Sequence, residues 1–435
     1  MPSVCFYFQV HQPFRLRKYH VFEVGTHAPY FDDELNKQIC KKVAQKCYIP
    51  ANKLFLELVK KYPDFKIAYS ISGIALEQFA RYTPEVLESF KALADTGQVE
   101  FLAETYYHSL AALANRDEFR RQVKRQNELV EQYLGVKPQV FRNTELIFTN
   151  TIAWEAQQMG FKGIITEGAT QLMHGRSPAF IHSAVGSGLP VLTKYFQLSD
   201  DIAFRFSNRE WPAWPLTAET FAHWVHAEEG DTINLFMDYE TFGEHQWEST
   251  GIFEFLRELP EAICKNPAWD FATPSEVIDR YPVRGEVSAD VPISWADQER
   301  DLSAWLGNPL QDSTFAWVYK LGEAVERSKD PELLDIWGRF QTSDHFYYQC
   351  TKFWQDGDVH KYFSAYESPH QAYMFMSNAL SDFEILLKER GYLKKLSPPA
   401  PLAEITQPVA AKRGIAIAET APKRSTPRLP KKVTK

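Results

Sequence analysis

Strand-like and helix-like segments alternate through the first 240 residues, and this alternation limits the fold more than any other feature. Apolar runs suited to strands occupy 3–10, 65–72, 98–104, 138–143, 161–168 and 231–240. The stretch 191–206 (VLTKYFQLSDDIAFRF) is expected to hold two more strands. Between the runs lie helix-like segments with boundary signals. TPEVLESFKALADTG (83–97) has Thr-Pro at its start and Gly at its stop. RDEFRRQVKRQNELVEQYLG (116–135) is long, amphipathic and closed by Gly, and further helices are expected at 149–160 and 217–230. Strands separated by helices of this length imply βα units and a parallel sheet. About seven strands within 240 residues suit a barrel as well as an open sheet. From about residue 300 the pattern turns helical, over 302–328, 331–355 and 369–391.

Composition removes several classes of function. The chain has 435 residues and a formal net charge of −8, which argues against a basic nucleic-acid-binding body and against anionic membranes as partners. No stretch approaches eighteen apolar residues, so no transmembrane helix is expected. The opening MPSVCFYFQVHQPF has no basic start and reads as a first strand, not a signal peptide, which makes the cytoplasm the expected compartment. Cys5, Cys40, Cys47, Cys264 and Cys350 have no CxxC spacing, so neither a disulfide framework nor a cysteine zinc site is indicated. Residues 396–435 carry eight Lys/Arg against two Asp/Glu and are rich in Pro and Ala. They are expected to be a disordered basic tail or an arm for an acidic partner, and they leave −14 on the body.

In parallel barrels the site lies at the carboxyl ends of the strands. The polar residues just after each apolar run are His11-Gln12-Pro13, Thr105 to His108, Thr144-Glu145, Glu167, and Asp238-Tyr239-Glu240 followed by Gly243-Glu244-His245. Glu145 either complements a helix N-terminus or serves as a fixed, ionised nucleophile, with Arg142 and Asn143 beside it to hold the charge. Asp238 either caps its strand or, half buried among other acids, acts as a proton donor of raised pKa. Asp238 and Glu240 share a strand face, and periodicity leaves both open. Two carboxylates of separated acid strength are the equipment of glycosidic cleavage.

The histidines offer a competing account, in which His11, His108 and an aspartate bind zinc as in a carbohydrate esterase. HQP supplies one histidine and no HxxxH pair accompanies it, so hydrogen bonding to sugar hydroxyls suits these imidazoles better. Aromatic residues reach 14% of the chain; many suit the core, and a surplus would serve a site that stacks on sugar rings. Trp211 and Trp214 lie in a Pro-broken loop, either anchoring it or stacking on sugar rings, while Trp224 sits in a helical pattern and suits the core. The segment 292–308 gathers Trp295, Asp297, Glu299, Arg300, Asp301, Trp305 and Asn308, which reads as substrate contact or as a salt-bridged helix start.

Taken together these segments resemble glycoside hydrolase family 57. Its five short regions find matches in His11-Gln12-Pro13, GQVEFLAETYYHSL (97–110), FRNTELIF (141–148), MDYETFGEH (237–245) and SWADQERDLSAWLGN (294–308). The resemblance covers about 1–390 and implies an α/β fold, an incomplete (β/α)7 barrel followed by a mostly helical domain. The implied divisions are a catalytic barrel over 1–290, a helical domain over 291–395 that contributes to the cleft, and the tail. The resemblance also implies a retaining enzyme acting on α-glucans with neither cofactor nor metal. Glu145 matches the family nucleophile and Asp238 its acid/base. The residues expected to contact substrate are His11, His108, Arg142, Glu240, Trp211, Trp214, Trp295, Asp297 and Trp305. Where the family carries a Glu or a His after the aromatic pair of its second region, this chain has His108. The wording of the third and fourth regions is most similar to the α-amylase group. Readings kept beside it are a 4-α-glucanotransferase at the same site, a metal-dependent carbohydrate esterase and a non-catalytic glucan-binding protein.

Overall fold

The first strand, β1 (Ser3–Val10), is buried along its whole length, as a central parallel strand covered on both faces should be. Its alternate side chains serve two different cores. Val4, Phe6, Phe8 and Val10 pack outward among the helices. Cys5 and Tyr7 pack inward with residues from the other strands. This computed structural model describes residues 1–352 and 364–393, so the basic tail expected at 396–435 lies outside the described residues.

β1 pairs in parallel with β2 (Ile67–Ile71) on one side and β8 (Thr232–Asp238) on the other. β2 pairs with β3 (Val99–Leu102). β4 (Val140–Arg142) pairs with β5 (Gly163–Glu167), and β5 with β7 (Pro190–Lys194), all in parallel. β3 reaches β4 through a parallel bridge, Ala103 to Phe141. β7 reaches β8 through the Tyr195 N–H, which donates to the Asn234 carbonyl at 2.8 Å, and through Asn234 Nδ2 donating to the Thr193 carbonyl at 2.9 Å. Seven parallel strands thus close on themselves, with the thinnest seams at β3–β4 and β7–β8. This is the incomplete (β/α)7 barrel. β6 (Ile181–Ala184) runs antiparallel to β7 and carries β10 (Val283–Val287) outside the ring, while the short β9 (Asp270–Phe271) pairs with the start of β1.

Two expectations change. The stretch 191–206 supplies one strand, β7, and then a helix (Phe196–Asp200) and a wide helical turn (Asp201–Arg205). Ile202 and Ala203 are buried side by side while Phe204 is exposed, which is not a strand's alternation, and Arg205 pairs with Asp201 one turn back at 2.6 Å. The helix expected from 302 begins at Pro309, where Asn308 Oδ1 accepts from the Leu310 and Gln311 N–H groups. The helices that follow are Pro331–Phe340, Ser343–Tyr347 and Pro369–Glu389. Their apolar faces join Tyr30, Phe141 and Trp305 in a second core. No helix among the described residues is long and apolar enough to cross a membrane.

The barrel interior is plugged by Tyr7, Ala68, Leu102, Val140, Ile165, Leu192 and Phe236, one from each of the seven strands. Phe236 is fully buried with its ring edge-on to Tyr7 at 5.5 Å. Phe236→Ala is expected to cost about 3–5 kcal/mol, read as the shift in chemical denaturation midpoint at constant slope. A loss below about 1 kcal/mol would show that the plug does not hold the barrel.

Candidate active site

Two residues beyond each plug residue, the same strand face reaches the mouth of the barrel. There the seven inward side chains are Gln9, Ser70, Glu104, Arg142, Glu167, Lys194 and Asp238. Every one is polar, and period-two alternation places all seven above the apolar plug. They bond to one another. Gln9 Nε2 donates to Glu104 Oε1 at 3.1 Å, and Ser70 Oγ donates to the same oxygen at 2.9 Å. Arg142 Nη1 lies 3.8 Å from Glu104 Oε2, and Lys194 Nζ 3.6 Å from Glu167.

Above this layer opens a cleft of about 410 Å³. Glu145 and Asp238 both line it, together with His11, His108, Glu240, Trp295, Asp297 and Trp305. Glu145 sits at φ 57°, in the left-handed region, on the turn after β4. Its carboxylate is held on both oxygens, with His108 Nε2 3.1 Å from Oε1 and Trp295 Nε1 donating to Oε2 at 2.7 Å. Burial alone would raise its pKa. The hydrogen bond and charge of His108, the Arg142 charge and the Trp295 donor outweigh burial and hold it below the ordinary value. Asp238 goes the other way. Burial, and then the Glu145 charge, push it up to about 6. Burial and the Asp238 charge push Glu240 to about 8, while Tyr48 Oη donates to its carboxylate.

His108 touches a carboxylate through each ring nitrogen, Glu104 at 2.9 Å and Glu145 at 3.1 Å. Burial works against its charged form, but these bonds raise it to about 9. The His11 ring stacks on it at 3.9 Å between centroids. Burial and the His108 charge lower the pKa of His11, against the pull of Asp344. Its Nε2 is 3.0 Å from Asp344 and its Nδ1 2.8 Å from Ser72 Oγ. Both nitrogens of both imidazoles are therefore engaged by protein groups. No group of three or more His, Cys, Asp or Glu among the described residues is placed to hold a metal ion.

Three of the expected contacts lie elsewhere. Arg142 is fully buried beneath the cleft, because as the inward residue of a strand end it belongs to the layer and not to the wall. Trp211 turns its ring onto Trp224 at 6.0 Å and packs against the outer core. Trp214 is exposed, with Arg209 over its ring. Neither tryptophan lines the cleft.

Sequence reasoning passed over Glu104, Lys194, Asp200, Asp344 and Tyr347. Strand alternation could have found Glu104 and Lys194. Asp344 reaches the cleft because the Ser343 N–H donates to the His108 carbonyl at 2.9 Å, tying the helix Ser343–Tyr347 to the barrel mouth. No local pattern announces that link. Five of the eight non-glycine residues at positive φ among the described residues border this site or adjoin it: His108, Glu145, Leu146, Asp297 and Arg300. Such conformations cost about 1–3 kcal/mol each and gather where geometry is needed more than stability.

The model of glycosyl hydrolase family 57 matches residues 5–290. A Methanocaldococcus jannaschii protein named "Putative alpha-amylase" is 44% identical over 402 residues, covering 89% of this chain and 85% of that protein. An alpha-amylase of Pyrococcus horikoshii is 26% identical over 276 residues, 61% of this chain and 41% of the relative. Among solved structures, a GH57 branching enzyme from Thermococcus kodakaraensis superposes with a TM-score of 0.60 at 14% identity, over 89% of this chain and 94% of that one. At that identity the likeness speaks for the fold.

The opposed acid strengths have a direct check. The Asp238 carboxyl should titrate near pH 6 in carboxyl-labelled NMR, and Glu145→Gln should lower that midpoint by removing the neighbouring negative charge. An unmoved midpoint would mean that the two groups do not interact.

Proposed function

Because the chain belongs to glycosyl hydrolase family 57, we propose that it is a retaining α-glucan hydrolase that cleaves α-1,4-glucosidic bonds, with Glu145 as nucleophile and Asp238 as acid/base. One observation carries this reading. The two carboxyl groups line one cleft, and their surroundings drive them in opposite directions, Glu145 toward the ionised form and Asp238 toward the protonated form.

In the first step the Glu145 carboxylate attacks C1 of the bound glucosyl unit. The C1–O4 bond breaks as Asp238 gives its proton to O4, and a glycosyl ester forms on Glu145. In the second step Asp238, now a carboxylate, takes a proton from water as the oxygen attacks C1. The ester bond breaks and Glu145 is restored. Trp295 Nε1 and His108 Nε2 keep the nucleophile from rotating. Glu240 and Asp297 supply polar contacts for the sugars and the half-buried Trp295 a ring face, whereas Trp305 is buried in the second core. The division into a barrel over 1–290 and a helical domain over 291–395 is part of this proposal, the second segment lending Trp295, Asp297, Trp305 and Asp344 to the cleft.

Transfer to a second glucan at the same site has its own support. Phe204 lines the cleft and is 67% exposed, so its ring offers a stacking surface to an incoming sugar that would compete with water.

The test is product analysis with maltoheptaose. Wild type should release shorter reducing sugars whose first-formed anomer is α. Glu145→Gln should lower kcat/KM by about 10⁴-fold or more, and Asp238→Asn by about 10²–10⁴-fold. The kcat/KM profile should fall above about pH 6, where Asp238 loses its proton, and again at acid pH as Glu145 gains one. Longer oligosaccharides with little free reducing sugar would move the activity to transfer. No products at all, or an initial β-anomer, would overturn the reading.

A further inference from the structure

Glu104 lies in the polar layer below the cleft and touches no space a sugar can occupy. Its carboxylate is nonetheless the most fully engaged group at the site. Oε1 accepts from Gln9 Nε2 and Ser70 Oγ, while Oε2 faces His108 Nδ1 at 2.9 Å. The far side of the same imidazole meets Glu145 at 3.1 Å. Glu104 is fully buried and His108 is 2% exposed. His108 is also fixed through its backbone, at φ 51°, with its carbonyl accepting from the Ser343 N–H. Nothing in the double-displacement steps uses Glu104.

A carboxylate can only accept, and a neutral imidazole donates through one nitrogen alone. Two carboxylates on opposite edges of one ring therefore require both nitrogens to carry protons. With a single proton, one contact of about 3 Å would set lone pair against lone pair. We propose that Glu104 is a positioning residue, which keeps His108 as a doubly donating imidazolium and through it holds the orientation and charge of the Glu145 carboxylate. The inference rests on the reading of Glu145 as nucleophile.

The charges around the ring bear this out. The groups facing His108 are Glu104 from the end of β3, Glu145 and Arg142 from β4 and its turn, and His11 from the segment after β1. Behind His11 stands Asp344 on the helix Ser343–Tyr347, and Asp238 acts from β8. Arg142 is a cation that disfavours a charged ring, so the two glutamates supply the compensation. With Glu104 removed, Glu145 is left to hold the imidazolium alone against Arg142 and full burial.

Glu104→Gln keeps the shape of the side chain and removes its charge. The pH dependence of kcat/KM then separates two effects of opposite sign. If Glu104 acts through His108, losing the imidazolium deprives Glu145 of its main cationic partner. Its pKa rises, and the acid limb moves up by about one pH unit or more. If Glu104 were only a nearby negative charge, its removal would ease the ionisation of Glu145 and move the limb down. The proposal expects the upward shift, with kcat lower by on the order of 10²-fold and KM little changed, and partial recovery in Glu104→Asp. A limb that stays or moves down overturns it.

The unaltered protein provides a second reading that does not depend on a variant's folding. In histidine-labelled wild type at pH 7, the ¹⁵N resonances of His108, assigned by their loss in His108→Asn, should show two protonated nitrogens. One bare nitrogen overturns the proposal. Turnover that survives in Glu145→Gln would overturn the nucleophile reading and this inference together, whereas the limb and the ¹⁵N signals test the inference alone.

Discussion

Seven strands each end in one inward polar side chain, and these seven share a space from which the plug below excludes water. Burying ions there costs several kcal/mol apiece unless opposite charges and hydrogen bonds compensate. The layer meets that condition by pairing. Arg142 stands by Glu104, Lys194 by Glu167, and Ser70 and Gln9 bridge to Glu104. The rest of the site depends on this balance. Above the layer, the Glu145 carboxylate is held toward its ionised form by His108 and by the Arg142 charge. Asp238 pairs with none of the layer's cations within 4 Å among the described residues, and burial and the Glu145 charge outweigh the pull of Arg142, His108 and Lys194. One barrel mouth therefore carries two carboxyl groups of different strength, without a metal ligand set among the described residues.

The second dependence is conformational. Glu145 and His108 take left-handed backbone conformations at adjacent strand ends, and Asp297 and Arg300 do so on the segment that faces them. Each works against folding, and each is locked by tertiary contacts. The Trp295 N–H donates to the Glu145 carbonyl at 3.3 Å, while the Trp295 indole donates to the carboxylate of the same residue. His108 is pinned by the helix Ser343–Tyr347. The helical segment after the barrel thus shapes the site from above, and the geometry of Glu145 depends on residues 150 and more positions away in sequence.

This division explains what was legible in the sequence. Strand ends, helix stops and the polar residues after each apolar run are local, and they led to Glu145, Asp238, His11 and His108. Which way a side chain faces is also local, since counting by twos from Tyr7, Leu102 or Leu192 arrives at Gln9, Glu104 and Lys194. What local reading lacks is depth. Arg142 helps to hold Glu145 ionised, as its place beside that residue implies, yet inward alternation puts it under the floor and away from substrate. Asp344 was invisible because only barrel closure and helix packing bring it to His11. Trp211 and Trp214 share a Pro-broken loop, but Trp211 packs on the outer core beside Trp224 and Trp214 is exposed, both away from the cleft. The second strand expected within 191–206 failed for a similar reason. Its apolar residues answer to a helical turn at the cleft mouth, where Ala203 and Phe204 line the opening.

The central claim is that Glu145 becomes covalently bonded to the sugar while Asp238 handles the proton. Trapping tests it most directly. The protein would be incubated with a 5-fluoro-α-glucosyl fluoride, digested, and its labelled peptide sequenced by mass spectrometry. The account predicts one adduct, on Glu145 within FRNTELIF. An adduct on Asp238 or Glu240, or steady turnover of maltoheptaose with no trapped intermediate, would contradict it.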